Sequence, residues 1–173
     1  MTALTHYTDR LILRPPLERD LNSLFQIYSD PETNVYNPFG PISNVNKAEE
    51  LLYRWISHWK QYTFGNWAIS AIHNPETIIG FGGLSFKQYG PNEKLNLGYR
   101  FAVNAWGKGY ATELCFTALN YAFNELKFSE VFAIVRPNNN PSIRVLEKVQ
   151  MVEHDKLDDI PGQPESIVYV INK

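Results

Sequence analysis

The chain has 173 residues, of which 44% are hydrophobic and 14% aromatic, and a chain of this length suits one hydrophobic core better than two. Its formal net charge of -2 gives no electrostatic reason to expect nucleic acid or an anionic membrane as a partner. The single cysteine excludes an intrachain disulfide, and no clustered histidines and cysteines suggest a metal site. We therefore expect one domain over residues 1–173, without a bound metal.

Neither the N-terminus nor any later segment predicts export or membrane insertion. The first residues lack a basic stretch followed by an apolar run, and no span reaches about 18 apolar residues. We expect a cytoplasmic protein. Cys115 lies on the apolar face of a predicted helix, so we expect it in the core and not as a nucleophile.

Hydrophobic spacing predicts the elements of the first half of the chain. The run Arg10 to Arg14 predicts a strand that two prolines stop. Helical spacing follows over residues 17–30 and again from Asn44 to about Tyr62. Residues 31 to 43, rich in proline and glycine, predict the loop that separates these helices.

From Trp67 onward, the spacing of hydrophobic residues becomes strand-like, and later it alternates between strand and helix. Alternating or continuous apolar runs predict strands, and helical spacing predicts helices. The predicted strands are 67–72, 78–86, 95–103, 131–135 and 167–171, with a turn at Asn74 to Glu76 joining the first two. The predicted helices are 111–126 and one that opens at Pro141. Together these elements indicate an α/β domain around a mixed sheet.

The segment Trp106-Gly107-Lys108-Gly109-Tyr110-Ala111 lies where a strand gives way to a helix. Two glycines there let backbone N–H groups point outward, and a helix N-terminus adds a partial positive charge. Phosphate groups suit such a site. The segment lacks the Gly-Lys-Ser/Thr ending of a P-loop, and Thr112 stands where a dinucleotide fingerprint has its third glycine. Both of these nucleotide-binding interpretations therefore lose support.

Several motifs in order resemble the GNAT superfamily of acetyltransferases. The core ones are Trp-Gly-Lys-Gly-Tyr-Ala-Thr-Glu from Trp106 and Pro-Asn-Asn-Asn-Pro-Ser-Ile-Arg-Val-Leu-Glu-Lys from Pro137. Arg10-Leu11-Ile12-Leu13-Arg14-Pro15, Tyr28-Ser29-Asp30-Pro31-Glu32 and Ile78-Ile79-Gly80-Phe81-Gly82-Gly83-Leu84 extend the resemblance over nearly the whole chain. The match is closest to the RimJ/RimL-like branch, which acetylates ribosomal-protein N-termini. It implies a single GNAT-type domain with about seven strands and four helices.

The resemblance implies acetyl-CoA as co-substrate and assigns it particular residues. Phe101, Ala102 and Val103 match the strand segment whose backbone pairs with the pantetheine arm. The matching diphosphate loop consists of Trp106, Gly107, Lys108, Gly109, Tyr110, Ala111 and Thr112. Asn139 and Ser142 match positions near the thiol end of the cofactor, although helix capping is an alternative role for this turn.

In the family, a substrate amine attacks the acetyl thioester directly, without a covalent enzyme intermediate. Many members carry a glutamate base where this chain has Asn96, and a tyrosine acid where it has Leu146. Neither replacement can exchange a proton. A hydrogen bond from Ser142 to the departing thiolate suffices for a thiol of pKa near 8.5, with water as an equal candidate, and the sequence leaves both open. Relatives also read Gly-Phe at Gln150-Met151, so we expect a locally different helix end.

Without a strong base, the enzyme is better matched to an amine of low pKa. A protein α-amine has a reference pKa near 7.7 to 8.0, against about 10.4 for lysine. The favoured acceptor is therefore a protein N-terminal α-amine. Small amines and a catalytically idle acyl-CoA-binding module stay open as alternatives, as does a homodimer. We expect Tyr36 and Phe39, with the loop 31–43, to line one wall of the acceptor groove. We expect residues 155–165, which are rich in Asp and Pro, to form the opposite wall, where their acidity would attract a cationic amine.

Overall fold

The computed structural model describes residues 4–173, which form eight strands and four α-helices. The strands are β1 (His6–Tyr7), β2 (Leu11–Arg14), β3 (Asn66–Ala71), β4 (Asn74–Tyr89), β5 (Asn92–Phe101), β6 (Glu130–Val135), β7 (Val152–Leu157) and β8 (Ser166–Asn172). The helices are α1 (Leu21–Ser29), α2 (Val45–Tyr62), α3 (Tyr110–Asn120) and α4 (Asn140–Lys148). The strands follow the order β1-β2-β3-β4-β5-β6-β8-β7 in one sheet. The predicted α/β class with a mixed, mostly antiparallel sheet is confirmed.

The chain divides into two compact units, with β4, β5 and the start of α3 contributing residues to both. One unit takes the chain up to Gly83 together with Tyr99–Tyr110, and the other takes Leu84–Gly98 and Ala111–Lys173. The expectation of one domain over the whole chain stays a prediction. Within residues 4–173, no helix has the length and apolar content needed to cross a membrane.

In the first unit, strands β1, β2, β3 and the beginning of β4 pair antiparallel, and α1 and α2 pack on β3 and β4. Helix α2 begins where the sequence predicts, because the Asn44 side chain caps it by accepting the Lys47 backbone N–H at 3.1 Å. One core cluster holds the two helices on the strands. Its buried members are Leu24, Ile27, Ala48, Leu52, Ala68, Ile78 and Phe81.

The second unit is organised around β6 and β8. These strands pair antiparallel from Glu130↔Asn172 to Val135↔Ile167, and β7 adds to the far side of β8. Strands β5 and β6 run parallel and pair at Asn96 and Phe132. A second cluster of buried residues consists of Tyr89, Phe132, Val168 and Val170.

Several predicted boundaries are wrong for local reasons. The β3–β4 turn lies at residues 72–73, so Asn74 to Glu76 belong to β4, whose register shifts near Ala71↔Asn74. The α-helical part of α3 ends at Asn120, and Tyr121–Glu125 continue as a π-helix, with the Leu126 N–H donating to the Tyr121 carbonyl at 3.0 Å. Strands β1 and β7 have no sequence prediction, because β1 has two residues and β7 is largely exposed and charged.

Candidate functional site

The segment predicted to hold a diphosphate follows directly after β5. A 3₁₀ turn over Val103–Ala105 leads into it, and α3 begins at Tyr110. The Trp106 indole donates from Nε1 to the Phe101 carbonyl at 3.0 Å, and the Trp106 backbone N–H donates to the Val103 carbonyl at 3.0 Å. These bonds hold the start of the segment against the end of its own strand.

Both glycines of the segment adopt backbone angles that favour glycine. Gly107 has φ +72° and Gly109 has φ +79°, in the left-handed region that residues with a side chain reach only at a cost. A Cβ on Gly107 would meet nothing within 4 Å. Exposed backbone therefore precedes the first turn of α3, whose Tyr110, Ala111 and Thr112 N–H groups lack partners within the helix. This backbone has the features that a diphosphate requires.

The predicted pantetheine strand Phe101, Ala102 and Val103 is shorter than expected. β5 ends at Phe101, and Val103 belongs to the 3₁₀ turn. The Ala102 N–H already donates to the Ile79 carbonyl at 2.9 Å, so this amide is committed within the protein. The prediction of a strand through Val103 is wrong. The apolar alternation of β5 continues beyond the end of the strand into the 3₁₀ turn.

Asn139 and Ser142 come together at the beginning of α4 in the second unit. Asn139 is the N-cap residue, and its side-chain oxygen accepts the Ser142 backbone N–H at 3.2 Å. The capping role weighed from the sequence is therefore real for Asn139. Ser142 is half-buried. The role of its hydroxyl at the thiol end of the donor stays a prediction.

The two positions that the GNAT resemblance associates with proton transfer hold neutral, buried side chains. Asn96 is 9% exposed, and its side-chain oxygen accepts the Tyr89 hydroxyl at 2.7 Å. Burial, and secondarily the charge of Asp159, raise the pKa of Tyr89 far above its ordinary value. Leu146 is 4% exposed in the core beneath α4. Neither Asn96 nor Leu146 carries a proton that the reaction exchanges.

The loop carrying Tyr36 and Phe39 is built by two asparagines. Asn34, which is 5% exposed, donates from Nδ2 to the Tyr28 and Asp30 carbonyls at 3.0 and 2.8 Å. Its Oδ1 accepts Asn37 Nδ2 at 2.9 Å, and Asn37 also donates to the Gly40 carbonyl at 2.8 Å. Phe39 is left 79% exposed, and Tyr36 is half-buried.

Arg100 joins this loop to β5. Its Nη1 donates to Asn34 Oδ1 at 2.7 Å, and its guanidinium lies 4.4 Å from the centre of the Tyr28 ring. Tyr28 is buried, and burial raises its pKa to about 12, although the charge of Arg100 lowers it in part. The loop 31–43 is therefore fixed to the strand that leads to the predicted donor site.

The predicted acidic wall over residues 155–165 divides into two parts. Its first residues belong to β7. Arg136 contacts residues of the second part. Arg136 donates to Ser166 Oγ at 3.0 Å and to the Pro164 carbonyl at 2.7 Å, and its Nη1 lies 3.7 Å from Asp159 Oδ1. Because Arg136 offsets the charge of Asp159, this carboxylate attracts a cation less than the sequence implies.

Three residues at these sites have no signal in the sequence: Arg10, Asn34 and Arg100. Arg10 contacts the glycine segment from 98 positions away, and Arg100 contacts Asn34 from 66 positions away. A composition or spacing argument does not join residues so far apart. Among the described residues, no group of His, Cys, Asp and Glu side chains is arranged to hold a metal ion.

Comparison with known proteins places the fold and these segments in a family. A family model described as an acetyltransferase (GNAT) domain matches residues 10–152. An uncharacterized N-acetyltransferase p20 of Bacillus licheniformis is 30% identical over 155 residues, covering 90% of this chain and 86% of the relative. Mycobacterium smegmatis RimJ in complex with CoA-disulfide superposes with a TM-score of 0.76 at 21% identity, covering 94% and 81% of the two chains.

A spermidine N-acetyltransferase from Vibrio cholerae, solved with CoA and spermine, also superposes with a TM-score of 0.76 at 18% identity, covering 95% and 96%. The chain belongs to the GNAT superfamily of acetyltransferases, in its RimJ/RimL-type family. It is an acetyl-CoA-dependent N-acetyltransferase, as the resemblance implies. A shared fold does not by itself name the acceptor amine of this chain.

Proposed function

We propose that this enzyme transfers the acetyl group of acetyl-CoA to a protein N-terminal α-amine. One observation carries the proposal. Where relatives place a glutamate base, Asn96 is buried and accepts the Tyr89 hydroxyl at 2.7 Å, so the protein supplies no proton acceptor at that position. The amine must therefore arrive already neutral for a substantial fraction of the time.

The difference between acceptors is large. At pH 7 roughly a tenth of an α-amine with pKa near 7.7 to 8.0 is neutral, but well under a thousandth of a lysine amine with pKa near 10.4. The gap corresponds to about 3.5 kcal/mol of barrier if nothing else lowers the lysine pKa. An enzyme without a base at Asn96 is thus suited to the α-amine. Membership of the RimJ/RimL-type family supports the same acceptor class, as the sequence resemblance implies.

In the proposed reaction, the neutral amine nitrogen attacks the thioester carbonyl carbon of acetyl-CoA. The C–N bond forms, the C–S bond breaks, the nitrogen loses a proton to solvent, and the thiolate takes a proton from solvent water while a hydrogen bond from the Ser142 hydroxyl or from a water molecule stabilises it. A thiol with a reference pKa near 8.5 leaves readily at neutral pH, so it needs little help from an acid.

The donor is proposed to lie along two parts of the chain. The backbone of Trp106 to Thr112 holds the diphosphate, supported by the left-handed Gly107 and Gly109 and the beginning of α3. The backbone of Phe101, at the end of β5, binds the pantetheine arm. The Ala102 N–H does not bind it, because this N–H donates to the Ile79 carbonyl. Asn139 acts indirectly, since it caps the helix that carries Ser142.

The acceptor is proposed to lie against the loop 31–43. Phe39 and Val35 are 79% and 69% exposed there, and Tyr36 lies beside them in the chain. An apolar, well-ordered surface of this kind suits the side chain of a peptide's first residue better than a flexible polyamine, which has no apolar branch.

An acceptor screen that follows free thiol tests the proposal. The panel contains a short peptide with a free N-terminus and one lysine, the same peptide with its α-amine blocked, and spermidine. We expect steady thiol release with the free peptide and much less with the blocked one. A preference for the blocked peptide or for spermidine contradicts the proposal, and so does the absence of turnover with the free peptide.

A further inference from the structure

The side chain of Arg10, which directly precedes β2, contacts the glycine segment 98 positions later in the chain. Its Nη1 donates to the Lys108 carbonyl at 2.8 Å, and its guanidinium carbon lies 4.9 Å from the centre of the Tyr110 ring. Its own backbone is held on both sides. The Arg10 N–H donates to Thr8 Oγ1 at 3.3 Å, and the Arg10 carbonyl accepts the Ile72 N–H at 2.8 Å. The side chain therefore extends from a fixed strand end.

The contact with Lys108 has a consequence for the next amide. In a trans peptide, the carbonyl and the following N–H point in opposite directions, and the described residues contain no cis peptide bond. By holding the Lys108 carbonyl, Arg10 turns the Gly109 N–H away from itself. A side chain on Gly109 would also meet Arg10, because an added Cβ would lie 3.4 Å from Arg10 Nη2.

The Lys108–Gly109 peptide can rotate at low cost. Rotation of the Lys108–Gly109 peptide changes the φ angle of Gly109, and glycine populates both signs of φ with similar ease. Lys108 and Gly109 are both exposed, so no core packing selects one orientation. The Arg10 hydrogen bond to the Lys108 carbonyl and the stacking of Arg10 on Tyr110 favour the observed orientation.

We propose that Arg10 is a positioning residue for the donor substrate. It keeps the Lys108–Gly109 peptide in the orientation in which the Gly109 N–H donates to a diphosphate oxygen of acetyl-CoA, an inference that rests on the proposed diphosphate role of Trp106 to Thr112. Without the guanidinium, the peptide samples both orientations. The apparent affinity for the donor then falls by the fraction of molecules that remain competent.

Steady-state kinetics with two donors test this role. Acetyl-CoA carries the diphosphate, and S-acetylpantetheine carries the same thioester and arm without it. For Arg10→Ala, we expect the KM for acetyl-CoA to rise about tenfold, which corresponds to about one molecule in ten keeping the competent peptide orientation. We expect kcat and the KM for S-acetylpantetheine to stay within about twofold of the wild type, because neither depends on the diphosphate.

Two further variants set the scale. Arg10→Lys keeps a charged donor of similar reach and is expected to recover most of the affinity for acetyl-CoA. Arg54→Ala removes an exposed arginine from α2 and is expected to change neither donor constant. An equal loss on both donors, or no loss on either, overturns the role of Arg10. If the wild type itself does not distinguish the two donors, the proposed diphosphate site is wrong and the role of Arg10 fails with it, whereas the proposed acceptor is tested separately by the acceptor screen.

Spectroscopy of the enzyme without donor gives an independent readout. With ¹⁵N-glycine labelling, inorganic pyrophosphate is expected to shift the Gly107 and Gly109 amide signals of the wild type at concentrations that leave Arg10→Ala unshifted. The Gly98 and Gly162 signals report whether the variant keeps its fold. Shifts of Gly109 at the same pyrophosphate concentration in both proteins overturn the proposal.

Discussion

The Tyr89 hydroxyl donates a hydrogen bond to the Asn96 side-chain oxygen at 2.7 Å, and the two residues are 8% and 9% exposed. The Tyr89 ring also packs edge-on against Phe132, with 5.6 Å between ring centres. Burial, and the nearby charge of Asp159, raise the pKa of Tyr89, so its hydroxyl stays protonated and stays a donor at any pH at which the protein works. A neutral, mutually satisfied pair therefore occupies the position where relatives carry a base.

Removing the Tyr89 hydroxyl is expected to destabilise the fold. Tyr89→Phe keeps the ring but leaves the buried Asn96 oxygen without this donor, which costs about 1–3 kcal/mol. Urea unfolding measures the change in the free energy of unfolding. Tyr53→Phe removes a hydroxyl from a residue that is 47% exposed and is expected to change it by less than about 0.5 kcal/mol. Equal effects of the two variants would show that the Tyr89–Asn96 bond is not the source of the cost.

The pH dependence of the reaction is expected to follow the acceptor and not the enzyme. Because only the neutral amine attacks, kcat/KM for a peptide α-amine rises about tenfold per pH unit below a pKa near 7.7 to 8.0 and levels off above it. Tyr89 adds no step to this profile, since its pKa is raised, and burial likewise raises the pKa of the Cys115 thiol.

Acceptor peptides with different α-amine pKa values check this prediction. We expect the midpoint of the kcat/KM profile to move with the acceptor pKa. A midpoint that stays at one pH for every acceptor would reveal a titrating group on the enzyme and would contradict the absence of a base at Asn96.

Local features of the fold follow from the sequence, and distant ones do not. The limits of α2 follow within one residue because its period and its Asn44 cap are both local. The two left-handed residues of the donor segment also follow from the sequence, because both are glycines. Strand β7 is missed because its residues do not alternate in polarity, and it pairs only through β8. Arg10 and Arg100 are missed because their partners lie 98 and 66 positions away.

Helix α4 ends with a left-handed residue, although the sequence predicts a different helix end. Gln150 adopts φ +67°, the left-handed angle that relatives reach with glycine. Its N–H donates to the Glu147 carbonyl at 2.9 Å, and the Met151 N–H donates to the Leu146 carbonyl at 3.0 Å. The expectation of a different helix end is wrong, because these two bonds and the buried Met151 hold the usual cap in place.

Gln150→Gly is therefore expected to stabilise the protein by about 1 kcal/mol, since it removes the cost of a side chain in the left-handed region. Arg144→Gly, on the exposed face of the same helix, is expected to destabilise it by about 1 kcal/mol. Thermal and urea unfolding of both variants measure the two changes. The same sign for both would show that the backbone angle of Gln150 carries no strain.

The last prediction concerns the bond between Arg100 and Asn34, which fixes the proposed acceptor loop to β5 at 2.7 Å. Asn34→Ala removes this acceptor, and it also removes the Nδ2 donor to the Tyr28 and Asp30 carbonyls. Asn37 loses a partner as well, so Tyr36 and Phe39 lose their fixed position. We expect the KM for a peptide acceptor to rise about tenfold, while the KM for acetyl-CoA stays unchanged. Asn46→Ala, an exposed asparagine of α2, serves as the control. A matching rise in the KM for acetyl-CoA would mean that Asn34 supports the fold generally and that the loop has no particular role in binding the acceptor.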